Sequence, residues 1–169
     1  PKDLLTVYVV DGISDDDTRK IVSDFEKKAT YIKLLDNVEQ VTPFALNIGL
    51  KADQSDVKII LGAHSTIDAQ FVSEAVKVLK NDPSVGCSGG VLNNVYENKT
   101  AEIIGLAMSS PFGVGNARFR TGGTDGYVDT VAFGAYKREV FEKIGYFDES
   151  LVRNQDDEFN FRVLKNGFK

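Results

Sequence analysis

VKIILGAHSTIDAQF, residues 57–71, is the most informative fifteen-residue stretch of the chain. Its first five residues, Val57 to Leu61, are mostly β-branched or apolar and read as a short strand. GAHS then interrupts the pattern. Beyond it, Phe71, Val72, Ala75, Val76 and Leu79 recur at helical spacing, with Thr66 or Asp68 as candidate caps. Strand, turn and helix in this order make one unit of an α/β architecture. The turn also holds His64, the only histidine of the chain.

The flanking segments repeat the arrangement. LLTVYVV, residues 4–10, is a continuous apolar run that reads as a strand buried on both faces and stops at DGIS. Ser14 to Asp17 follows in the pattern of a capping box, and Ile21, Val22 and Phe25 share one face of a helix ending near Lys28. YIKLLD, residues 31–36, is a second strand. Thr42-Pro43 opens a helix whose apolar stripe is Phe44, Ile48 and Ala52. SVGCSGGVL, residues 84–92, reads as a fourth strand loosened by glycine. Residues 93–126 are rich in Gly, Ser, Asn and Thr and read as one long irregular segment, functional or mobile. VDTVAF, residues 128–133, is strand-like, and KREVFEKIG, residues 137–145, is a short helix with a glycine stop. A final helix runs from near Asp156 to an Asn166-Gly167 C-cap. This alternation predicts an α/β sandwich with a mainly parallel central sheet flanked by helices. Ligands of such sheets bind beyond the carboxyl ends of the strands, so DGIS and GAHS are expected to border one cleft.

Composition narrows the function classes. A formal net charge of −5 with no basic block argues against nucleic acid as a partner. Cys87 is the only cysteine, which excludes an internal disulfide framework and a cysteine-rich zinc site. Beside Gly86 and Ser88 it reads as a small buried hydrophobe. No apolar run reaches the length of a membrane span. The abrupt beginning at PKDLL and the abrupt end at NGFK suggest a piece of a longer protein.

The densest acidic cluster is RNQDDEFNFR, residues 153–162. Asp156, Asp157 and Glu158 open the last helix, where negative charge is favoured by the helix dipole whatever its function. Consecutive helical residues point about 100° apart, so all three cannot face one substrate. A single histidine without a cysteine partner builds no zinc site, but it suffices as one ligand to a metal held mainly by substrate phosphates. Asp11 closes the first strand as a turn former or a ligand contact, and Gly12 beside it leaves the backbone approachable. FGVGNARFR, residues 112–120, lacks the lysine and the strand-to-helix setting of a phosphate loop and reads as a solvated or anion-closing basic loop. No Ser/His/Asp triad can be assembled.

In order and spacing, VVDGISDDDTRKIV, PFALNIGL, IILGAHSTIDAQFV and above all VDTVAFGAYKREVFEKIGYFDESLVRNQDDEFNFRVLKNGF resemble family 2 glycosyltransferases with the GT-A fold, in the branch of succinoglycan biosynthesis. The resemblance covers nearly the whole chain. It implies one glycosyltransferase catalytic domain over residues 1–169, lacking the family's first strand and everything beyond Lys169. Residues 1–92 would be the nucleotide-binding half and residues 93–169 the acceptor and catalytic-base half.

The resemblance also implies roles. An enzyme of this kind moves a sugar from a nucleotide-diphospho-sugar, with UDP the default carrier, to an acceptor hydroxyl, inverting the anomeric centre. Asp156 matches the family's general base, with Gln155 in place of the usual Glu before it and Asp157 after it. Arg162, six residues on, orients the helix or the base by ion pairing. Asp11 matches the acid that holds the nucleoside, and Asn47 lies in the helix backing that pocket. Gly62, Ala63 and His64 fall on the metal motif, with His64 as ligand to Mn2+ or Mg2+. The implied partners are a nucleotide-sugar and a saccharide or lipid-linked saccharide acceptor, and the implied location is the cytoplasm, at the membrane face where the acceptor is lipid-linked. Three departures remove charge from the expected donor site. Gly62 replaces an aspartate, Gly12 a second acid and Gln54 an arginine. They leave open a second reading, a degenerate, non-catalytic binding module. A sugar nucleotidyltransferase is a weaker third, since the glycine- and arginine-rich loop it needs after the first strand is absent.

Overall fold

The computed structural model describes residues 4–110, 118–121 and 125–169. Most of the FGVGNARFR reading therefore lies outside the described residues. The chain alternates strand and helix through its first half: β1 (Val7–Asp11), α1 (Thr18–Lys28), β2 (Ile32–Asp36), α2 (Thr42–Ala52), β3 (Val57–Ile59), α3 (Phe71–Asn81) and β4 (Cys87–Ser88). Next come α4 (Lys99–Met108), the short α5 (Arg118–Thr121), β5 (Ala135–Lys137), α6 (Arg138–Ile144) and α7 (Gln155–Lys165).

The α/β architecture is as expected, but its pairing is more mixed. β1 and β2 form a parallel ladder in which Asp11 stands opposite Asp36. β5 forms the centre of a second sheet, antiparallel to β3 on one side and to β4 on the other. α2 joins the two sheets. Gly49 lies so close to β1 that a Cβ there would sit 3.2 Å from Val10 Cγ2, while Leu50 belongs to the core beneath β5. That core is largely aromatic: Phe159 is fully buried, with ring centroids 4.3 Å from Phe147 and 5.5 Å from Tyr136. Offset and edge-on contacts of this kind add to simple area burial. Ala75, Leu79, Val85 and Ala135 make a second cluster where α3 covers the sheet.

Several elements differ from their sequence reading for identifiable reasons. The apolar stripe expected on α2 is Phe44, Ile48 and Ala52, whereas the buried face is Pro43, Asn47 and Leu50. Asn47 is tolerated inside because every polar atom is used. Its Nδ2 donates to the Phe147 carbonyl (2.9 Å) and to Glu149 Oε1 (2.8 Å), and its Oδ1 accepts from the Phe147 N–H (3.0 Å). Lys58 is likewise buried, its ammonium donating to the carbonyls of Leu50 (3.0 Å) and Asp53 at the C-terminal end of α2. A cation suits that end of a helix.

The capping box at Ser14 does not form. Both Ser14 donors go back to Asp11, and Thr18 N–H is taken by Asp16 Oδ1 (2.8 Å). Ile21 and Phe25 of α1 remain more than half exposed. Neither Thr66 nor Asp68 is the N-cap of α3; that residue is Gln70, whose N–H is held by Asp68 Oδ1 (2.8 Å).

The strand expected over residues 128–133 lies instead at Ala135–Lys137. Phe133 has φ +52°, which breaks an extended run, and a Cβ on Gly134 would lie 2.6 Å from the Tyr136 ring. The glycine-loosened fourth strand shrinks to Cys87–Ser88. Gly86 makes room for Phe168 and Gly89 for Val131. The stretch read as irregular contains α4, begun by Asn98, whose Oδ1 accepts from Ala101 N–H (2.9 Å). Its Gly105 breaks the helical signal in the sequence, yet the glycine is required because a Cβ would fall 2.0 Å from the Tyr96 ring.

The two glycine stops are as expected. Gly145 ends α6 at φ +81°, and Gly167 follows α7 at φ +86°. At the latter, Phe168 N–H reaches the Val163 carbonyl (3.2 Å) and Gly167 N–H the Leu164 carbonyl (3.0 Å), the two bonds of a Schellman motif. Lys169 then lies along β4, donating to Ser84 O (2.9 Å) and accepting from Gly86 N–H (2.8 Å).

Candidate functional site

Three places at the loop ends hold the residues that the sequence singles out. The first is the end of β1. Asp11 is buried, and its carboxylate is fully occupied: Oδ1 accepts from Ser14 Oγ (2.6 Å), and Oδ2 accepts from Ser14 N–H (2.9 Å) and Arg19 Nη1 (2.8 Å). Arg19 reaches on to Asp36 with Nη2 (2.7 Å), closing across the β1–β2 pair. The Ser14 bonds, with the guanidinium beside them, hold the Asp11 carboxyl down at about 2. Ile13, in the same loop, has φ +58°, a strained conformation for a β-branched residue. Asp11 thus ties the loop together, and its side chain is committed within the protein.

The second place is the turn after β3. Ser65 closes it, donating to the Gly62 carbonyl from both N–H (3.1 Å) and Oγ (2.6 Å). His64 is exposed but leans back over Gly62. A Cβ on Gly62 would lie 2.8 Å from His64 Cε1 and 2.9 Å from Phe133 Cε1. The imidazole meets the Phe133 ring edge-on, centroids 6.0 Å apart at 63°. The missing side chain at position 62 and the placement of the ring at position 64 are therefore one feature. Ala63 is exposed beside it.

The third place is the N-terminus of α7. Asn154 turns the chain into it at φ +58°. Asp156 and Asp157 are exposed, and the dipole of the helix start favours their charge. Asp156 has no hydrogen-bond or ion-pair partner among the described residues. Asp157 accepts from Thr130 Oγ1 (3.3 Å). Arg162 pairs with Glu158, four residues back, through Nε–Oε1 (2.6 Å) and Nη2–Oε2 (2.9 Å). It also donates to the carbonyls of Ile144 (2.8 Å) and Tyr146 (2.8 Å). It fixes α7 against the end of α6 and does not pair with Asp156. Gln155 stands partly buried before the acids.

Residues 130–133 join the second and third places. Phe133 lies against His64 and Gly62, and Thr130, three residues before it, bonds Asp157 of α7. Asp11 has no side-chain hydrogen bond or ion pair to either place among the described residues; its partners are Ser14 and Arg19. Asn47 sits behind, holding residues 147–149 against α2. The expected common border of DGIS and GAHS is thus not closed by side-chain contacts. A cavity of about 300 Å³ lies at the opposite end of the β3–β5 pair. There Arg138 is paired with Asp56 (2.8 Å) and Glu142 (3.5 Å).

A sequence scan alone misses Arg19, Thr130, Phe133, Tyr136 and Asn160, which hold these places together. Only the Glu158–Arg162 pair has a local signal, its four-residue spacing. No group of three His, Cys, Asp or Glu residues among the described residues could hold a metal by itself. The donor set is one exposed imidazole. That fits a cation held chiefly by diphosphate oxygens and does not fit a metal caged by this chain.

Comparison with known proteins supplies the family. The family described as Glycosyl transferase family 2 matches residues 1–145, a range that ends before α7. A dolichyl N-acetyl-α-D-glucosaminyl phosphate 3-β-D-2,3-diacetamido-2,3-dideoxy-β-D-glucuronosyltransferase of Methanococcus voltae is 30% identical over 176 residues, covering 100% of this chain and 54% of the relative. The succinoglycan biosynthesis protein ExoA of Rhizobium meliloti is 26% identical, covering 96% of this chain and 50% of the relative. The chain spans about half the length of these curated relatives. Among solved structures, the mannosyltransferase PcManGT of Pyrobaculum calidifontis, in complex with GDP-Man and Mn2+, superposes with a TM-score of 0.70 at 23% identity, covering 100% of this chain and 45% of that one. TarS 1-349 of S. aureus, in complex with UDP, gives 0.68 at 19% identity, covering 95% and 46%. At such identities the likeness establishes the fold, which is GT-A. The match over most of the sequence and the shared fold agree: the chain belongs to glycosyl transferase family 2.

Proposed function

We propose that this chain is the catalytic domain of an inverting glycosyltransferase, with Asp156 as general base. The donor is a nucleotide-diphospho-sugar, UDP being the expected carrier. The acceptor is a hydroxyl of a saccharide or lipid-linked saccharide in polysaccharide or glycoconjugate synthesis. With a lipid-linked acceptor the full-length protein works at the cytoplasmic membrane face; no helix among the described residues is long and apolar enough to cross a membrane. Residues 1–92 serve the donor and residues 93–169 the acceptor and base.

The observation that supports this reading is the state of the Asp156 carboxylate. It is exposed and has no hydrogen-bond or ion-pair partner among the described residues, while its neighbour Asp157 is joined through residues 130–133 to the turn of His64. A base needs a free lone pair within reach of the proton it removes. Asp156 would take the acceptor's hydroxyl proton as that oxygen attacks the anomeric carbon from the face opposite the diphosphate. The bond to the diphosphate oxygen breaks as the new glycosidic bond forms, which inverts the centre. His64 would supply one ligand to Mn2+ or Mg2+, and a bound cation would neutralise charge on the departing diphosphate. Asp11 supports the donor side indirectly, by fixing the loop after β1, and Arg162 keeps α7 in place.

Gly62 favours a second reading, a binding module without catalysis. A carboxylate at this position would need the space now taken by the His64 and Phe133 rings. Calorimetry of the full-length protein with UDP separates the two. The catalytic reading expects binding that strengthens at least tenfold with Mn2+ and loses that gain in His64→Ala. Absence of any UDP binding by the folded protein would favour the module.

A further inference from the structure

Behind the acidic turn of α7 runs a chain of three hydrogen bonds in which every proton points the same way. Tyr136 Oη on β5 donates to Asn160 Oδ1 (3.1 Å). Asn160 Nδ2 donates to Thr130 Oγ1 (3.0 Å). Thr130 Oγ1 donates to Asp157 Oδ1 (3.3 Å). Tyr136 and Asn160 are almost fully buried, 2% and 4% exposed, so neither can trade its partner for water. Burial raises the Tyr136 phenol well above its ordinary range, so it remains a donor. Because the Asp157 carboxylate only accepts, one orientation of the Asn160 amide makes all three bonds. Its Nδ2 must face Thr130, and the threonine hydroxyl proton is left for Asp157. The loop so captured is the one that ends in Phe133, held at φ +52° with its ring against His64.

We propose that Asn160 and Thr130 are positioning residues that clamp residues 130–133 to the first turn of α7 and so fix the acidic turn relative to His64. This rests on the functional reading above, in which those two groups serve one reaction. Asn160 is three residues beyond Asp157 and Thr130 lies in another segment, so the contact sets the spacing of parts that no single element holds.

Four forms of the full-length protein test the assignment: wild type, Thr130→Val, Thr130→Ser and Asn160→Asp. Hydrogen exchange over residues 128–133 reads the clamp. Release of nucleoside diphosphate from a panel of UDP- and GDP-sugars, with acceptor titrated, reads the reaction. Thr130→Val keeps the side-chain shape without the hydroxyl. It is expected to exchange about tenfold faster in that loop and to lose about tenfold or more in kcat, with donor KM within about twofold. Thr130→Ser restores both. Asn160→Asp, if folded, behaves like Thr130→Val, because a carboxylate cannot donate to Thr130. Unchanged exchange in Thr130→Val, or failure of Thr130→Ser to restore the lost kcat, overturns the clamp. Wild-type protein without turnover would instead overturn the functional reading, and with it the positioning role.

Discussion

Two aspartates at loop ends, Asp11 and Asp156, are in opposite physical states. Asp11 is buried, accepts three hydrogen bonds and is held as an anion at about 2. Asp156 is exposed at a helix start and has no partner among the described residues. A carboxylate held by several hydrogen bonds stabilises a fold and is a poor base; one that is uncommitted adds little to stability and can accept a proton. Both are acids at points where chemistry is expected, and only their partners tell them apart.

The contrast should appear first in stability. Asp11→Ala leaves the Ser14 N–H and one arm of Arg19 without their partner in a partly buried setting and is expected to cost about 2 kcal/mol in chemical denaturation. Asp156→Ala, which loses no hydrogen bond or ion pair among the described residues, should leave the unfolding midpoint essentially unchanged. Equal midpoints for these two variants would break the distinction between a committed and an uncommitted acid.

A smaller effect concerns the loop that Asp11 holds. Ile13 sits at φ +58°, where a glycine avoids the steric cost of a side chain. Ile13→Gly is expected to stabilise by about 1 kcal/mol, read in the same denaturation experiment. A loss of stability would mean that the Ile13 side chain has a packing role outweighing its strain.

The Asp11 bonds also show in acid. The Asp11 carboxyl falls from an ordinary 3.8 unfolded to about 2 folded, so the folded state binds fewer protons between these values. Its contribution to stability is fully present above pH 4 and lost as pH falls toward 2. In Asp11→Asn this part of the acid dependence should disappear, leaving a shallower fall of stability with pH. An unchanged slope would show that other carboxylates account for the acid sensitivity.

How far the sequence discloses this arrangement depends on how local each feature is. The Gly145 and Gly167 stops and the face of α3 with Ala75 and Leu79 are read from neighbours within one element, and they stand. Ser14 could cap α1 or bind Asp11; the choice depends on where β1 ends, which spacing does not fix. Val128 to Phe133 has strand composition, but Phe133 turns out of the extended region and the ladder starts two residues later. α4 lies inside the stretch that reads as irregular, and the packing of its Gly105 against the Tyr96 ring is invisible in a linear scan. Within the site, residue types were legible and their couplings were not. Arg162 was readable as an ion-pairing residue, but its partner is Glu158. That His64 and the α7 acids share a loop is set by contacts from residues 130–133, through pairs far apart in sequence.

The central claim is that the uncommitted carboxylate of Asp156 does the chemistry while the committed one of Asp11 holds the fold. Sugar transfer by the full-length protein carrying Asp156→Asn, measured beside its thermal midpoint, tests it most directly. The account predicts a loss of kcat of about a hundredfold or more with an unchanged midpoint. Transfer at the wild-type rate in a folded Asp156→Asn protein would contradict it.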